Sequence, residues 1–152
     1  MDPIDLEILR TLAENGRTTF SDLAEKVGLS GPSTADRVRR LEERGAIRGY
    51  AASVDPAAVG LDLTAFVAVT LREPSCREGF LAGLGELPAV LECHHVAGDH
   101  DYLLKVRTAG TRGLETFVSD ELKGIEGVVR THTTIVLSSP FERPFVPPAV
   151  RP

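Results

Sequence analysis

The segment from Phe20 to Gly45, FSDLAEKVGLSGPSTADRVRRLEERG, admits few folds. Thr19 is a candidate N-cap with Asp22 three places on as a short capping box, and Gly28 stops the helix that follows after two turns. Leu29 bridges to Ser30, which can cap another helix. Pro32 falls in that helix's first turn, where its missing donor costs little, and Gly45 ends it. Upstream, Asp2-Pro3 is a helix entrance. Ile4, Ile8, Leu9 and Leu12 then recur at helical spacing until Asn15-Gly16, which tolerates positive φ. Three short helices with a glycine turn between the second and third form a helix-turn-helix pattern. The expected inward residues are Phe20, Leu23, Ala24 and Val27 on the second helix, and Ala35, Val38 and Leu41 on the third.

If Ala35, Val38 and Leu41 face inward, Ser33, Arg37, Arg40 and Arg44 share the opposite side, at helical steps of four, three and four. Ser33 and Thr34, near the start of the helix, are placed to meet phosphates or base edges. Arg37, Arg40 and Arg44 can reach guanine edges or the backbone. The competing interpretation is an ordinary solvated surface, since Asp36, Glu42 and Glu43 are interleaved with the arginines. The three-helix pattern favours a helix placed in the major groove of DNA.

Residues 47–54, IRGYAASV, read as extended, and Asp55-Pro56 and Gly60 punctuate a boundary. From Leu63 the apolar period becomes two. LTAFVAVTL is a buried strand ended by Glu73-Pro74, and Ser75 caps a helix carrying Phe80, Leu81, Leu84 and Leu87. Val90 to Ala97 and Tyr102 to Thr108 form a hairpin across the four-residue turn Gly98-Asp99-His100-Asp101. Thr111 to Lys123 is a helix with Leu114, Phe117, Val118 and Leu122 inward, and Val128 to Ser138 is the last strand. The order βαββαβ is the ferredoxin-like plan, with one sheet face left uncovered. Apolar side chains at both parities of the first and fourth strands argue that a second sheet covers it in a dimer. The tail, SSPFERPFVPPAVRP, is an extended arm ordered where Phe141 or Phe145 finds a groove. The fold class is therefore α+β. Residues 1–46 form the helix-turn-helix domain, 47–62 a linker strand, 63–138 the ferredoxin-like domain and 139–152 the proline-rich tail.

A chain of 152 residues holds this plan comfortably, and no apolar run is long enough for a membrane span. The acidic, amphipathic start is unlike a signal peptide, so a cytoplasmic location is expected. Cys76 and Cys93 are too few for a disulfide framework. A formal net charge of -5 argues against a general nucleic-acid coat protein but leaves a local reader open.

On these residues the chain resembles the Lrp/AsnC family of feast/famine transcriptional regulators, in all but the tail. The resemblance rests on Asp2 and Asp5 to Leu9, on DLAEKVGLS from Asp22, and on STADRVRRLEERGAI from Ser33. The link from Gly49 to Gly60, GDHDYLLKV from Gly98 and THTTIVL from Thr131 complete it. It implies a winged helix-turn-helix reader joined to an effector-sensing sheet domain, in dimers that associate up to octamers. It implies an amino acid or related metabolite as effector, bound by Gly98, Asp99, His100, Asp101 and Tyr102 together with Thr131, His132, Thr133 and Thr134. Asp99 or Asp101 suits an α-ammonium group, and the Gly98 backbone an α-carboxylate. A tight hairpin stabilised by aspartate is the purely structural alternative. The start Gly31-Pro32 and the two histidines His100 and His132 depart from the family pattern.

Two other functions compete. Cys93, His94, His95, His100 and His132 cluster in the second domain, but strand alternation sends Cys93 and His95 to one face and His94 to the other. No metal or cofactor is expected. Haem-pathway decarboxylases share a similar two-domain plan, yet no nucleophile with an ordered base and no phosphate loop is present. A small-molecule sensor acting without DNA would have no use for the arginine stripe. The expected function is a non-enzymatic regulator that binds a palindromic double-stranded operator as a homodimer.

Overall fold

The computed structural model describes residues 1–148, and the final residues of the tail lie outside it. The described chain divides into two compact units, residues 1–53 with residues 141–148, and Val54–Pro140. None of the helices among the described residues is long and apolar enough to cross a membrane.

The first unit holds α1 (Pro3–Glu14), α2 (Phe20–Val27) and α3 (Gly31–Glu43). Asp2 caps α1 in a full capping box with Asp5, Thr19 caps α2, and Ser30 caps α3. These side-chain oxygens occupy donors that the first turn of a helix cannot satisfy internally. Gly28, at φ 67°, takes the left-handed position that turns α2 into α3. Ile8, Leu23, Val38 and Leu41 form the core, flanked by Ile4, Leu9, Leu12, Val27 and Ile47.

Three expectations for this unit change, and that for the tail holds at Phe145 alone. Phe20 is 54% exposed, because it begins α2 and the core stripe starts at Leu23. Asn15 closes α1 in an extended conformation, at φ -146°, without using positive φ. Residues 48–55 pair in no sheet among the described residues, so the expected linker strand is irregular chain. In the tail, Phe141 and Phe145 remain 73% and 82% exposed. Phe145 nonetheless borders, with Pro147 and Pro148, an apolar cleft of about 590 Å³ that Leu6, Leu9 and Tyr50 also line.

The second unit is the expected βαββαβ. Strands β1 (Leu63–Leu71), β2 (Val90–His95), β3 (Tyr102–Thr108) and β4 (Val128–Ile135) lie antiparallel in the order β2-β3-β1-β4. Ala65, Val67 and Val69 of β1 and Tyr102, Leu104 and Val106 of β3 pack under Phe80 and Leu84 of α4 (Arg77–Gly85). Leu114 of α5 (Gly110–Thr116), with Phe117 and Leu122 beyond it, completes this core.

Helix entrances differ from expectation here. Ser75 makes no cap, because the chain enters α4 through a 3-10 turn at Pro74–Cys76. Leu81 is 43% exposed, since Phe80 and Leu84 alone face the sheet. The second helix widens into π geometry at Phe117–Leu122, which keeps both Phe117 and Leu122 buried. Gly127, at φ 92°, lies so close to Cys76 that a Cβ there would fall 2.4 Å from the Cys76 Cβ, so α4 and the start of β4 are packed backbone to side chain.

Candidate DNA-reading helix and effector loop

Helix α3 sits slightly rotated from the orientation the apolar residues predict. Thr34 is wholly buried beside Val38 and Leu41, while Ala35 is only half-buried. The Thr34 hydroxyl donates to the Ser30 carbonyl at 3.0 Å, so its polar atom is satisfied and the side chain packs as if apolar. Thr34 therefore does not face solvent, contrary to the contact expected of it.

This rotation carries Arg37 toward α1. Its Nη1 lies 2.7 Å from Asp2 Oδ2 and 2.7 Å from Asp5 Oδ1, and its side chain is 26% exposed. The Asp5 N–H and Arg37 hold the Asp2 carboxyl below the usual carboxylate range. Asp2 and Asp5 in turn raise the Arg37 guanidinium above its ordinary value. Arg37 is thus a bridge between helices, not an outward group.

Ser33, Arg40 and Arg44 do lie on the surface. Arg40 reaches Asp36 at 2.6 Å with half its side chain exposed, and such a pair is weak enough for a phosphate to displace. A small notch of about 40 Å³ is lined by Asp5, Arg37, Arg40, Leu41 and Arg44. Arg39 is a cation that apolar patterning did not single out. It is exposed and paired with Asp36 and Glu43, each at 2.6 Å.

The hairpin turn is strongly self-bonded. Asp101 accepts the Leu71 N–H at 2.7 Å through Oδ2, where the β1–β4 register shifts, and its own N–H donates to the Val69 carbonyl. Arg130 donates to the Asp99 carbonyl at 3.3 Å, and the His100 ring meets the Thr70 hydroxyl at 3.4 Å. Gly98, at φ 147°, accepts a backbone conformation that few other residues would. The strands end at His95 and Tyr102, so six residues connect them, with Val96 N–H still bonded to the Asp101 carbonyl. Tyr102 is buried against Phe80, ring centroids 4.9 Å apart.

The expected effector residues of β4 divide between two faces. Thr131 pairs with Val69 and Thr133 with Val67, on the helix-covered side. His132 pairs with Ala68 and Thr134 with Phe66, on the other. His132 stands parallel to His100 there, with centroids 6.3 Å apart. The same open face carries Glu92, which is 2.9 Å from His94 and 3.6 Å from Lys105. The His94 hydrogen bond, assisted by Lys105, lowers the Glu92 carboxyl. Cys93 and His95 pair with Leu104 and Tyr102, opposite in face to His94.

Beside the turn lies a cleft of about 310 Å³, lined by Thr70, Arg72, Glu73, Arg77, Asp101 and Tyr102 among others. Arg72, Glu73 and Arg77 do not stand out in the sequence, because Glu73-Pro74 reads first as a strand terminator. The charged pair Arg72-Glu73 just before Pro74, with Arg77 three residues beyond it, is the available signal.

Because Asp101 closes the bulge, Asp101→Ala is expected to lower the stability of the second unit by about 1–3 kcal/mol, leaving the Leu71 N–H without its acceptor. Asp101→Asn, which keeps an amide oxygen, should retain most of it. Urea denaturation of the variants measures the difference.

Known proteins place these two units together. Residues 1–48 match the model of winged helix-turn-helix DNA-binding domains, and residues 64–146 that of the Lrp/AsnC ligand binding domain. The chain is 44% identical over 141 residues to the HTH-type transcriptional regulator LrpA of Mycobacterium tuberculosis, covering 91% of each. A transcriptional regulator of Neisseria meningitidis solved as an L-Met complex superposes with a TM-score of 0.89, at 35% identity and covering 94% of both chains. The feast or famine regulatory protein of M. tuberculosis, complexed with L-methionine, gives a TM-score of 0.89 at 41% identity, covering 96% of this chain and 99% of that one. A capped helix-turn-helix joined in sequence to a β2-β3-β1-β4 sheet is the plan these proteins share, and this chain belongs to the Lrp/AsnC family of DNA-binding transcriptional regulators.

Proposed function

We propose that Ser33, Arg40 and Arg44 make the DNA contacts of this regulator, with Arg39 beside them. The supporting observation is that Arg40 and Arg44 are exposed on one side of α3 while Thr34 is enclosed and Arg37 is bound to α1. Residues 1–46 read the DNA, 47–62 link, 63–138 bind effector and assemble, and 139–152 form the tail. The operator is palindromic because a homodimer presents two readers related by symmetry. The uncovered sheet face, with Phe66, Ala68 and Leu103, joins the two copies, and dimers associate further into tetramers or octamers. The protein works in the cytoplasm and catalyses no reaction.

The effector is an amino acid, the ligand class named for the two methionine complexes. Its seat is the cleft beside the hairpin turn, at the lower end of ligand-site volumes. Arg72 and Arg77 suit the α-carboxylate by charge-assisted hydrogen bonds, and Glu73 the α-ammonium, since Asp101 is engaged with β1. Gly98, Asp99, His100, Thr131, His132, Thr133 and Thr134 complete the effector site, supplied by neighbouring subunits. Effector acts on DNA binding by favouring one assembly over another, to the extent that its affinities for the two differ.

A thermal-shift screen against the proteinogenic amino acids tests this reading. One or a few should raise the melting temperature selectively, because a ligand at a hundredfold its Kd adds about 2.7 kcal/mol. Arg77→Gln should remove the shift. A panel in which no amino acid stabilises the protein would exclude the amino-acid effector.

A further inference from the structure

Arg37 has the position of a DNA contact and the bonding of something else. One nitrogen, Nη1, serves both Asp2 Oδ2 and Asp5 Oδ1 at 2.7 Å. Each carboxylate spends its other oxygen on the helix start. Asp2 Oδ1 accepts the Asp5 N–H at 2.8 Å, and Asp5 Oδ2 accepts the Asp2 N–H at 3.4 Å. The capping box of α1 is therefore also the anchor for α3. In the usual box, a Ser or Thr pairs with Glu or Gln, and one carboxylate at most remains. Here two carboxylates remain side by side, and a cation from another helix offsets their mutual repulsion.

The charges around this clasp oppose a phosphate at Arg37. One guanidinium faces two carboxylates, so the trio carries a net negative charge, and Asp5 is only 14% exposed. Arg40 and Arg44 line the same notch without such a pair of acceptors on α1. The clasp also controls rotation. α3 packs through Thr34, Val38 and Leu41, a stripe that alone tolerates rolling about the helix axis, whereas a charge-assisted bond from its flank to the fixed N-terminus of α1 does not.

We propose that Arg37 is a positioning residue for DNA recognition. Held by Asp2 and Asp5, it sets the roll of α3 on α1, so that Ser33, Arg40 and Arg44 meet their half-site in register. This rests on the DNA-contact reading above. It makes Asp2 and Asp5, two acidic residues outside the helix-turn-helix pair, determinants of sequence specificity.

The experiment compares wild type, Arg37→Gln, Asp5→Asn and Arg40→Gln on two duplexes across a salt series. One duplex is selected by the wild-type protein from a randomised pool and the other is random. If Arg37 positions, Arg37→Gln and Asp5→Asn each lower affinity for the selected duplex about tenfold, leave affinity for the random one unchanged, and keep the slope of log K against log salt. Arg40→Gln instead weakens both and reduces the slope by about 0.9 for each reader. A partly unfolded variant would lose both affinities equally, so the ratio between duplexes separates positioning from stability.

The sign of Asp5→Asn is decisive. Asparagine keeps an oxygen for the Asp2 N–H, so α1 stays capped. If Arg37 touched phosphate, removing an acidic neighbour would strengthen binding, and that result would overturn the proposal. Should Arg37→Gln fail to fold, Asp5→Asn decides alone. If wild type selects no duplex, the DNA-contact reading is what fails. The coupling of Arg37 to Asp5 then disappears as an effect on recognition, and the proposal falls with it.

Discussion

Replacing Arg40 and Arg44 together by glutamine is expected to weaken operator binding about 30-fold per reader at 0.15 M salt. Each phosphate contact contributes about 0.9 to the slope of log K against log salt, so losing two lowers the slope by about 1.8. Extrapolated to 0.15 M, that slope corresponds to the stated factor. A dimer on a palindrome carries two readers, and both the slope change and the logarithm of the loss double. The pair is expected to act this way because Arg40 is half exposed and Arg44 lies at the exposed end of α3. Fold is little disturbed, since the Arg40 bond to Asp36 is an exposed pair that adds little stability. Fluorescence anisotropy at several salt concentrations reads both numbers. An unchanged slope would place the phosphate contacts elsewhere.

The largest expected stability loss is at Phe80→Ala, at about 3–5 kcal/mol. Phe80 is wholly buried, and its ring stands 4.9 Å from that of Tyr102. Helix α4 spans only Arg77–Gly85 and has no side-chain N-cap, so packing through Phe80 and Leu84 is what holds it on the sheet. An isolated helix of that length does not persist in water. The loss is a large share of the roughly 5–15 kcal/mol by which domains are stable. Urea denaturation should show a lower midpoint for the second unit. A change below about 1 kcal/mol would mean the core repacks around the cavity, which Leu84 and Leu114 would then have to fill.

The two expectations rest on residues of unequal legibility. Phe80 could be assigned from sequence, because its apolar spacing with Leu84 follows directly from helical geometry. Arg40 and Arg44 could be listed but not separated from Arg37, since all three lie on one stripe. What separates them is Thr34, a residue classed as polar that packs inward once its hydroxyl bonds to Ser30. With Thr34 inward, Arg37 lies on the flank of α3 that meets Asp2 and Asp5. The effector region behaved similarly. The hairpin and its turn follow from the sequence, where Asp101 suits a ligand, yet the bulge at Thr70/Leu71 gives that carboxylate a backbone donor to satisfy.

By itself the sequence determined the order of elements, the three helix caps of the first unit and the family. These depend on local bonding and on periods of 3.6 and 2, which are properties of neighbours along the chain. Only the tertiary structure decided which arginine is spent on another helix, which face each β4 side chain takes, and that Arg72, Glu73 and Arg77 share a cleft. Those outcomes depend on residues far apart in sequence meeting in space. A charged side chain answers to its nearest partner, and for Arg37 that partner is 32 and 35 residues away.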